Sequence, residues 1–225
     1  MNMKILFAIA LIMVCSLFAE LHAQSKSPII VSAGKPIAEV QPTMWGIFFE
    51  DINFGADGGI YAELIKNRSF EFSMPLMGWA VTQNKFNEGA VLVLNRQDLN
   101  TANPRFVRIT KNNTVDSLSL TNEGFRGMGI KKGLRYDFSM LCRQQTPGLK
   151  LHLQLLNASN AVIGSADLSP STTGNEWKNE TISFNATDTA WKGKFKTACE
   201  GRGVIELDVV SQFPSDKGKK KPGGM

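Results

Sequence analysis

Apolar and polar residues alternate through most of the second half of this chain. Leu134, Tyr136, Phe138, Met140 and Cys142 occupy every second position. Leu149, Leu151, Leu153 and Leu155 repeat the pattern and stop at the turn residues Asn157 to Asn160. A period of two puts every second side chain on one face of a strand, so each run predicts a strand with one buried face. Shorter runs at Phe106-Val107-Arg108-Ile109, Val162-Ile163, Thr181 to Phe184 and Val204 to Val210 predict further strands separated by polar turns. Strands at this spacing predict an antiparallel β-sandwich of the jelly-roll kind. No helix of useful length is predicted after Asn67.

The first third follows a different pattern. A short apolar run, Trp45-Gly46-Ile47-Phe48-Phe49, stops at two carboxylates, Glu50 and Asp51. A glycine-rich turn follows at Gly55, Gly58 and Gly59, and then Ile60, Tyr61, Leu64 and Ile65 fall at helical spacing. This order predicts a strand, a loop and a helix, one βα unit with acids at the carboxyl end of its strand. Lead-in strands are predicted at Pro28 to Val31 and Ile37 to Val40, and the pattern changes near Pro75. The expected layout is a signal segment at 1–23, a strand-and-βα region at 24–74, a β-sandwich at 75–213 and a low-complexity tail at 214–225.

Lys4, the apolar run Ile5 to Phe18 and the exit Leu21-His22-Ala23 have the form of a secretory signal peptide cleaved after Ala23. The run is shorter than the about 20 residues a membrane anchor needs. The predicted location is therefore secreted or periplasmic, with no membrane partner once the signal is removed. The net charge of +5 does not predict a nucleic-acid partner, because Lys217, Lys219, Lys220 and Lys221 crowd the tail and charges elsewhere nearly balance. Past the signal, Cys142 and Cys199 either pair, as an oxidising compartment permits, or stand as separate buried thiols. With His152 the one histidine of the mature chain, set in a strand pattern, the sequence offers no metal site and calls for no cofactor.

The stretch WGIFFEDINFGADGGIYAELIKNRSFEF, Trp45 to Phe72, closely resembles the opening barrel unit of family 51 glycoside hydrolases, the α-L-arabinofuranosidases, in their secreted bacterial form. The resemblance implies an orphan first βα unit of a (β/α)8 barrel ahead of the sandwich, and a barrel places the carboxyl ends of its strands at the active site. It also implies that Glu50 hydrogen-bonds the arabinofuranose ring; the residues alone leave open that Glu50 and Asp51 cap a loop or start a helix. Asp51 is also a candidate partner for Arg68. A retaining glycosidase needs two carboxyl groups about 5–5.5 Å apart. In family 51 both are glutamates on later barrel strands, which no part of this chain matches. A complete barrel needs about 250 residues, more than the 225 here. No catalytic residue is therefore assigned, and the chain by itself is expected to be inactive as a glycosidase.

The stretch Leu118 to Arg143, LSLTNEGFRGMGIKKGLRYDFSMLCR, resembles carbohydrate-binding modules of the family 4 and 9 type, with Trp177 ahead of a Thr/Ser-rich strand fitting the same pattern. In the larger secreted arabinofuranosidases such a module follows the first βα unit. Sugar-binding modules stack aromatic faces on sugar rings and satisfy hydroxyls with amides and acids. The candidates are Trp79, Trp177 and Trp191, with Asn84, Asn122, Arg126 and Gln154 as polar partners; for each tryptophan the alternative is a place in the core. The glycosylation sequons at Asn67, Asn157, Asn179 and Asn185 carry no weight in a chain of bacterial style.

The resemblance runs through Val209 to Pro214, and then Lys and Gly take over to Met225. The expectation is an N-terminal fragment of an arabinofuranosidase whose polysaccharide partner is arabinan or arabinoxylan of the plant cell wall. The alternative is a secreted, non-catalytic carbohydrate-binding protein.

Overall fold

The computed structural model describes residues 54–83, 89–96, 102–112, 114, 117–171 and 174–216, with Gly34, Glu39 and Glu50 besides. Its contacts divide the chain after Phe48, and every strand described below belongs to the second unit. The predicted strands at Pro28 to Val31, Ile37 to Val40 and Trp45 to Phe49 lie outside the described residues.

Eleven strands follow in order: β1 (Trp79–Gln83), β2 (Gly89–Asn95), β3 (Arg105–Lys111), β4 (Leu118–Asn122), β5 (Met128–Ile130), β6 (Arg135–Thr146), β7 (Leu149–Leu156), β8 (Val162–Leu168), β9 (Lys178–Asn185), β10 (Ala190–Gly201) and β11 (Gly203–Pro214). They form two sheets in which all pairings between these strands are antiparallel. One sheet has the order β1-β4-β10-β7-β8, with β5 paired to β10; the other has the order β2-β3-β11-β6-β9. The all-β part of the expected fold class is therefore present.

The alternation in the sequence becomes the core. Leu149, Leu151, Leu153 and Leu155 on β7 are buried, as are Leu118 and Leu120 on β4 and Phe195 on β10. From the other sheet come Val107, Ile109, Tyr136, Phe138, Met140, Ile205 and Leu207, in the same apolar cluster. Phe138 stacks on Phe195 with ring centroids 5.3 Å apart. Burying each such side chain contributes about 1.5–3 kcal/mol. Tyr136 is wholly buried, and its hydroxyl accepts a bond from the Lys131 amide at 2.8 Å. Cys142 on β6 and Cys199 on β10 belong to different sheets and are separate buried thiols, which decides between the two readings of the cysteines.

The predicted helix at Ile60 to Ile65 does not form. Residues 55–61 make turns around Gly58, whose φ of 78° suits glycine, and no helix occurs among the described residues. The orphan βα unit is thus not seen. The reason lies in where the main-chain donors go. The amide of Leu64 bonds the carbonyl of Gln212 at 3.1 Å, that of Ile65 bonds Glu63 Oε1 at 2.9 Å, and that of Lys66 bonds Asn122 Oδ1 at 3.1 Å. Tertiary partners have displaced the helical ladder, a common override of local spacing.

The same segment covers one edge of the sandwich. β3 pairs with β11 only as far as Leu207. Beyond it, β11 bulges between Asp208 and Ser211, with Val209 at a φ of 47°, and the Val210 amide turns to the Arg68 carbonyl at 2.9 Å. Glu63 is buried there, accepting bonds from the Gln212 amide at 3.0 Å, the Ser211 hydroxyl and Ile65. Burial pushes its carboxyl above the usual range, while those bonds and the nearby Arg68 oppose the shift. Arg68 reaches Asp57 at 3.8 Å and Glu63 at 3.9 Å; Asp51, its predicted partner, lies outside the described residues.

Candidate functional site

Strand alternation gives the five-stranded sheet a second, outward face, and there the polar residues of its strands gather. On β11, Ile205 and Leu207 point into the core, so Glu206 and Asp208 point away from it. Glu206 lies opposite Arg108 of β3 on one side and Arg143 of β6 on the other. Both arginines close on it: Arg108 donates from Nε at 2.8 Å and Nη2 at 2.5 Å to Oε1, and Arg143 donates from Nε to Oε2. Arg143 also donates to the Asn175 carbonyl at 3.3 Å.

Asp208, two residues along, is fully buried. Its Oδ2 accepts from Arg96 Nη2 and from Asn103 Nδ2 at 2.9 Å, and its Oδ1 accepts the Val209 amide at 2.7 Å. Burial outweighs these partners and pushes the carboxyl up to about 6. Trp177 completes the arrangement. The guanidinium of Arg96 lies 4.5 Å from its ring centre and that of Arg143 5.0 Å, while Phe106 meets it edge-on at 5.5 Å.

These side chains line a cleft of about 520 Å³ formed by Leu94, Asn95, Arg96, Phe106, Arg108, Arg143 and Trp177. A hollow of about 240 Å³ adjoins it, sharing Arg108 and Arg143 and bounded by Thr110, Val204 and Glu206. Sites of about 300–1,000 Å³ suit small ligands. Both carboxylates are tied to arginines, an arrangement suited to binding. Among the described residues no His, Cys, Asp and Glu cluster could hold a metal ion.

Of the predicted site residues that the structure describes, only Trp177 lines this cleft. Trp79 does not present a stacking face: it is 9% exposed, packs 5.6 Å from Phe70 and donates its indole N–H to the Asn67 carbonyl at 3.1 Å. Trp191 is 88% exposed at the start of β10, in the other sheet. Asn122 is wholly buried and spends its amide on Lys66 and Gly124, so no hydroxyl can reach it. Gln154 sits on β7 in register with Lys196, on the outer side of the six-stranded sheet. Arg126 lines a separate hollow of about 450 Å³ with Phe54, Gly58, Gly59 and Phe125. Asn84 lies outside the described residues. Glu50 is exposed and in no strand, and its neighbours on both sides, 49 and 51–53, lie outside the described residues.

Sequence reasoning did not find Arg96, Arg108, Arg143, Glu206 or Asp208. The signal available was Glu206 and Asp208 alternating with Ile205 and Leu207, which marks a strand with charged residues on its outer face. A second cluster it passed over lies on the six-stranded sheet, where His152 contacts Asp167 through Nδ1 and Glu200 through Nε2, each at 2.6 Å, with Lys150 2.8 Å from Asp167. Asp167 first, and Glu200 with it, raise the His152 pKa above its usual value.

No family model matches the chain. Its sequence relatives are α-L-arabinofuranosidases. It is 32% identical over 197 residues to an extracellular exo-α-L-arabinofuranosidase of Streptomyces chartreusis, a match covering 84% of this chain and 22% of that protein. It is 26% identical over 195 residues to α-L-arabinofuranosidase 1 of Arabidopsis thaliana, covering 83% of this chain and 28% of that protein. The chain thus spans about a quarter of the length of these relatives. Among solved structures, an arabinose-bound α-L-arabinofuranosidase of glycoside hydrolase family 51 shares the fold at a TM-score of 0.67 and 24% identity, over 78% of this chain and 30% of that one.

Proposed function

We propose that this chain is the N-terminal portion of a secreted bacterial α-L-arabinofuranosidase of glycoside hydrolase family 51, with its β-sandwich serving as an inserted carbohydrate-binding module. The observation that carries the reading is the 32% identity over 84% of the chain to the Streptomyces enzyme. The Trp45–Phe72 stretch supports it. In this reading Glu50 contacts the arabinofuranose ring in the intact enzyme and helps hold it in the reactive geometry. Residues 1–23 direct export, and arabinan or arabinoxylan is the polysaccharide bound and trimmed.

Taken alone, the chain is read as catalytically silent, because the two glutamates of a retaining mechanism have no counterpart in it. The purified chain is expected to release nothing from a chromogenic α-L-arabinofuranoside; turnover would sink this part of the reading. Translating the coding DNA beyond Met225 in all frames tests the fragment reading, which expects barrel-coding sequence there. The cleft of Arg96, Arg108, Arg143 and Trp177 favours a second reading, a secreted carbohydrate-binding protein without catalysis. Retention on arabinoxylan without barrel-coding sequence downstream supports that second reading over the first.

A further inference from the structure

We propose that the outer face of the five-stranded sheet binds a uronic-acid sugar, a saccharide unit carrying a ring carboxylate, through Arg96, Arg108 and Arg143. The word saccharide rests on the carbohydrate reading above; the selection for an anion rests on the cleft itself.

A neutral sugar offers hydroxyls that both donate and accept, so a site for it needs acceptors to spare. Here the two carboxylates are committed. Glu206 receives three bonds, two on Oε1 and one on Oε2, and Asp208 receives bonds on both oxygens. The guanidiniums have capacity left, since each carries five N–H donors in a planar fork. Contacts among the described residues engage one on Arg96 and two on each of Arg108 and Arg143. Arg96 Nε is buried without a hydrogen-bond partner among the described residues, an uncommon state for a buried donor. The cleft therefore suits a group that only accepts, and a carboxylate accepts from arginine two bonds at a time.

Charge points the same way. Three guanidiniums stand over two carboxylates, an excess of one positive charge. Among the described residues, Arg105 pairs with Glu71 and Arg135 with Asp137. Because Glu206 and Asp208 are buried beneath their arginines, the positive groups are the ones the cleft presents. The guanidiniums are held in place by the Trp177 ring and the carboxylates, so little rotamer freedom remains to be lost on binding. Leu94 in the cleft wall supplies apolar surface for the C–H face of a sugar ring, while the half-exposed Leu92 lies outside that wall, in register with Arg108.

The test is calorimetric titration of the purified chain with trigalacturonate, and with arabinotriose as the neutral counterpart. Trigalacturonate is expected to bind at least tenfold more tightly, and to weaken as salt is raised. Arg96→Gln is expected to reduce its affinity tenfold or more. Leu92→Asp, at an exposed position where folding is not at stake, is expected to weaken trigalacturonate several-fold and leave arabinotriose unchanged. Equal affinity for the two sugars, with Leu92→Asp inert, overturns the proposal while leaving the carbohydrate reading standing. A single-stranded oligonucleotide binding as tightly as trigalacturonate overturns the choice of a saccharide, and an absence of binding to every probe overturns the proposal outright.

Discussion

Asn122 closes on the main chain of Lys66 from both sides, its Nδ2 donating to the Lys66 carbonyl at 2.9 Å and its Oδ1 accepting the Lys66 amide at 3.1 Å. The side chain of a strand residue thereby serves an irregular segment as the neighbouring strand that segment lacks. Its Oδ1 also accepts the Gly124 amide at 2.9 Å, so three main-chain groups depend on one buried carboxamide. Asn122→Ala is expected to cost about 2–4 kcal/mol, since it leaves those groups without partners out of reach of water. Chemical denaturation measures the loss. Hydrogen exchange should place it first in residues 62–68, and uniform exchange across the sandwich would count against this account.

Phe70 anchors the same segment in the core. It is wholly buried at a φ of 61° and packs against Trp79. Phe70→Ala is expected to cost about 3–5 kcal/mol as a cavity opens beneath Trp79. Tryptophan emission, which for Trp79 reports a buried ring, should shift to the red. A loss under about 1 kcal/mol would mean that the segment contributes little to the stability of the sandwich.

Asp208 makes stability depend on pH in a calculable direction. Its carboxyl is raised from 3.8 to about 6 by burial. Between those values the unfolded chain has lost the proton and the folded chain keeps it, so unfolding releases a proton. Stability from this group therefore falls as pH rises through that window and levels off above it, by at most about 3 kcal/mol. Thermal melts of the wild type minus those of Asp208→Asn should show this decline; a flat difference would mean that Arg96 keeps Asp208 ionised throughout.

Cys142 and Cys199 are buried, and burial pushes both thiols up to about 12. The thiolate is the reactive form, so both should resist alkylation at pH 8 in the native chain and react fully in denaturant. Mass spectrometry of the two peptides reads the result. A disulfide between them, or rapid labelling of either, would contradict the packing described.

What the sequence made legible follows from how local each signal was. β6 and β7 were plain because Leu134 to Cys142 and Leu149 to Leu155 alternate without interruption. β10 was missed because its inward positions include Thr197 and Cys199, set between lysines, so its apolar face is faint. The turn at Gly58 and Gly59 was visible, yet the helix predicted after it gave way to bonds with Gln212 and Asn122, residues far along the chain. The cleft shows the same limit. Glu206 and Asp208 already alternate with Ile205 and Leu207, but only the order β3-β11-β6 sets Arg108 and Arg143 on either side of Glu206. Trp177 was singled out because a lone aromatic ahead of a strand stands out; the arginines beside it in the cleft are dispersed over about fifty residues.

The bonds linking residues 61–68 to 210–213 run antiparallel: Leu64 meets Gln212, Arg68 meets Val210, and the rings of Tyr61 and Phe213 touch edge-on at 4.8 Å. Chain entering and leaving the sandwich therefore emerges side by side, as at the open end of a zipper. Tension applied through these two segments would fall on one pair of contacts at a time, beginning with Tyr61 and Phe213 and moving inward through Glu63 to Arg68. Pulling in a single-molecule trap should thus release residues 61–68 from β11 at low force, while β11 is still paired with β6 from Ser211 to Pro214.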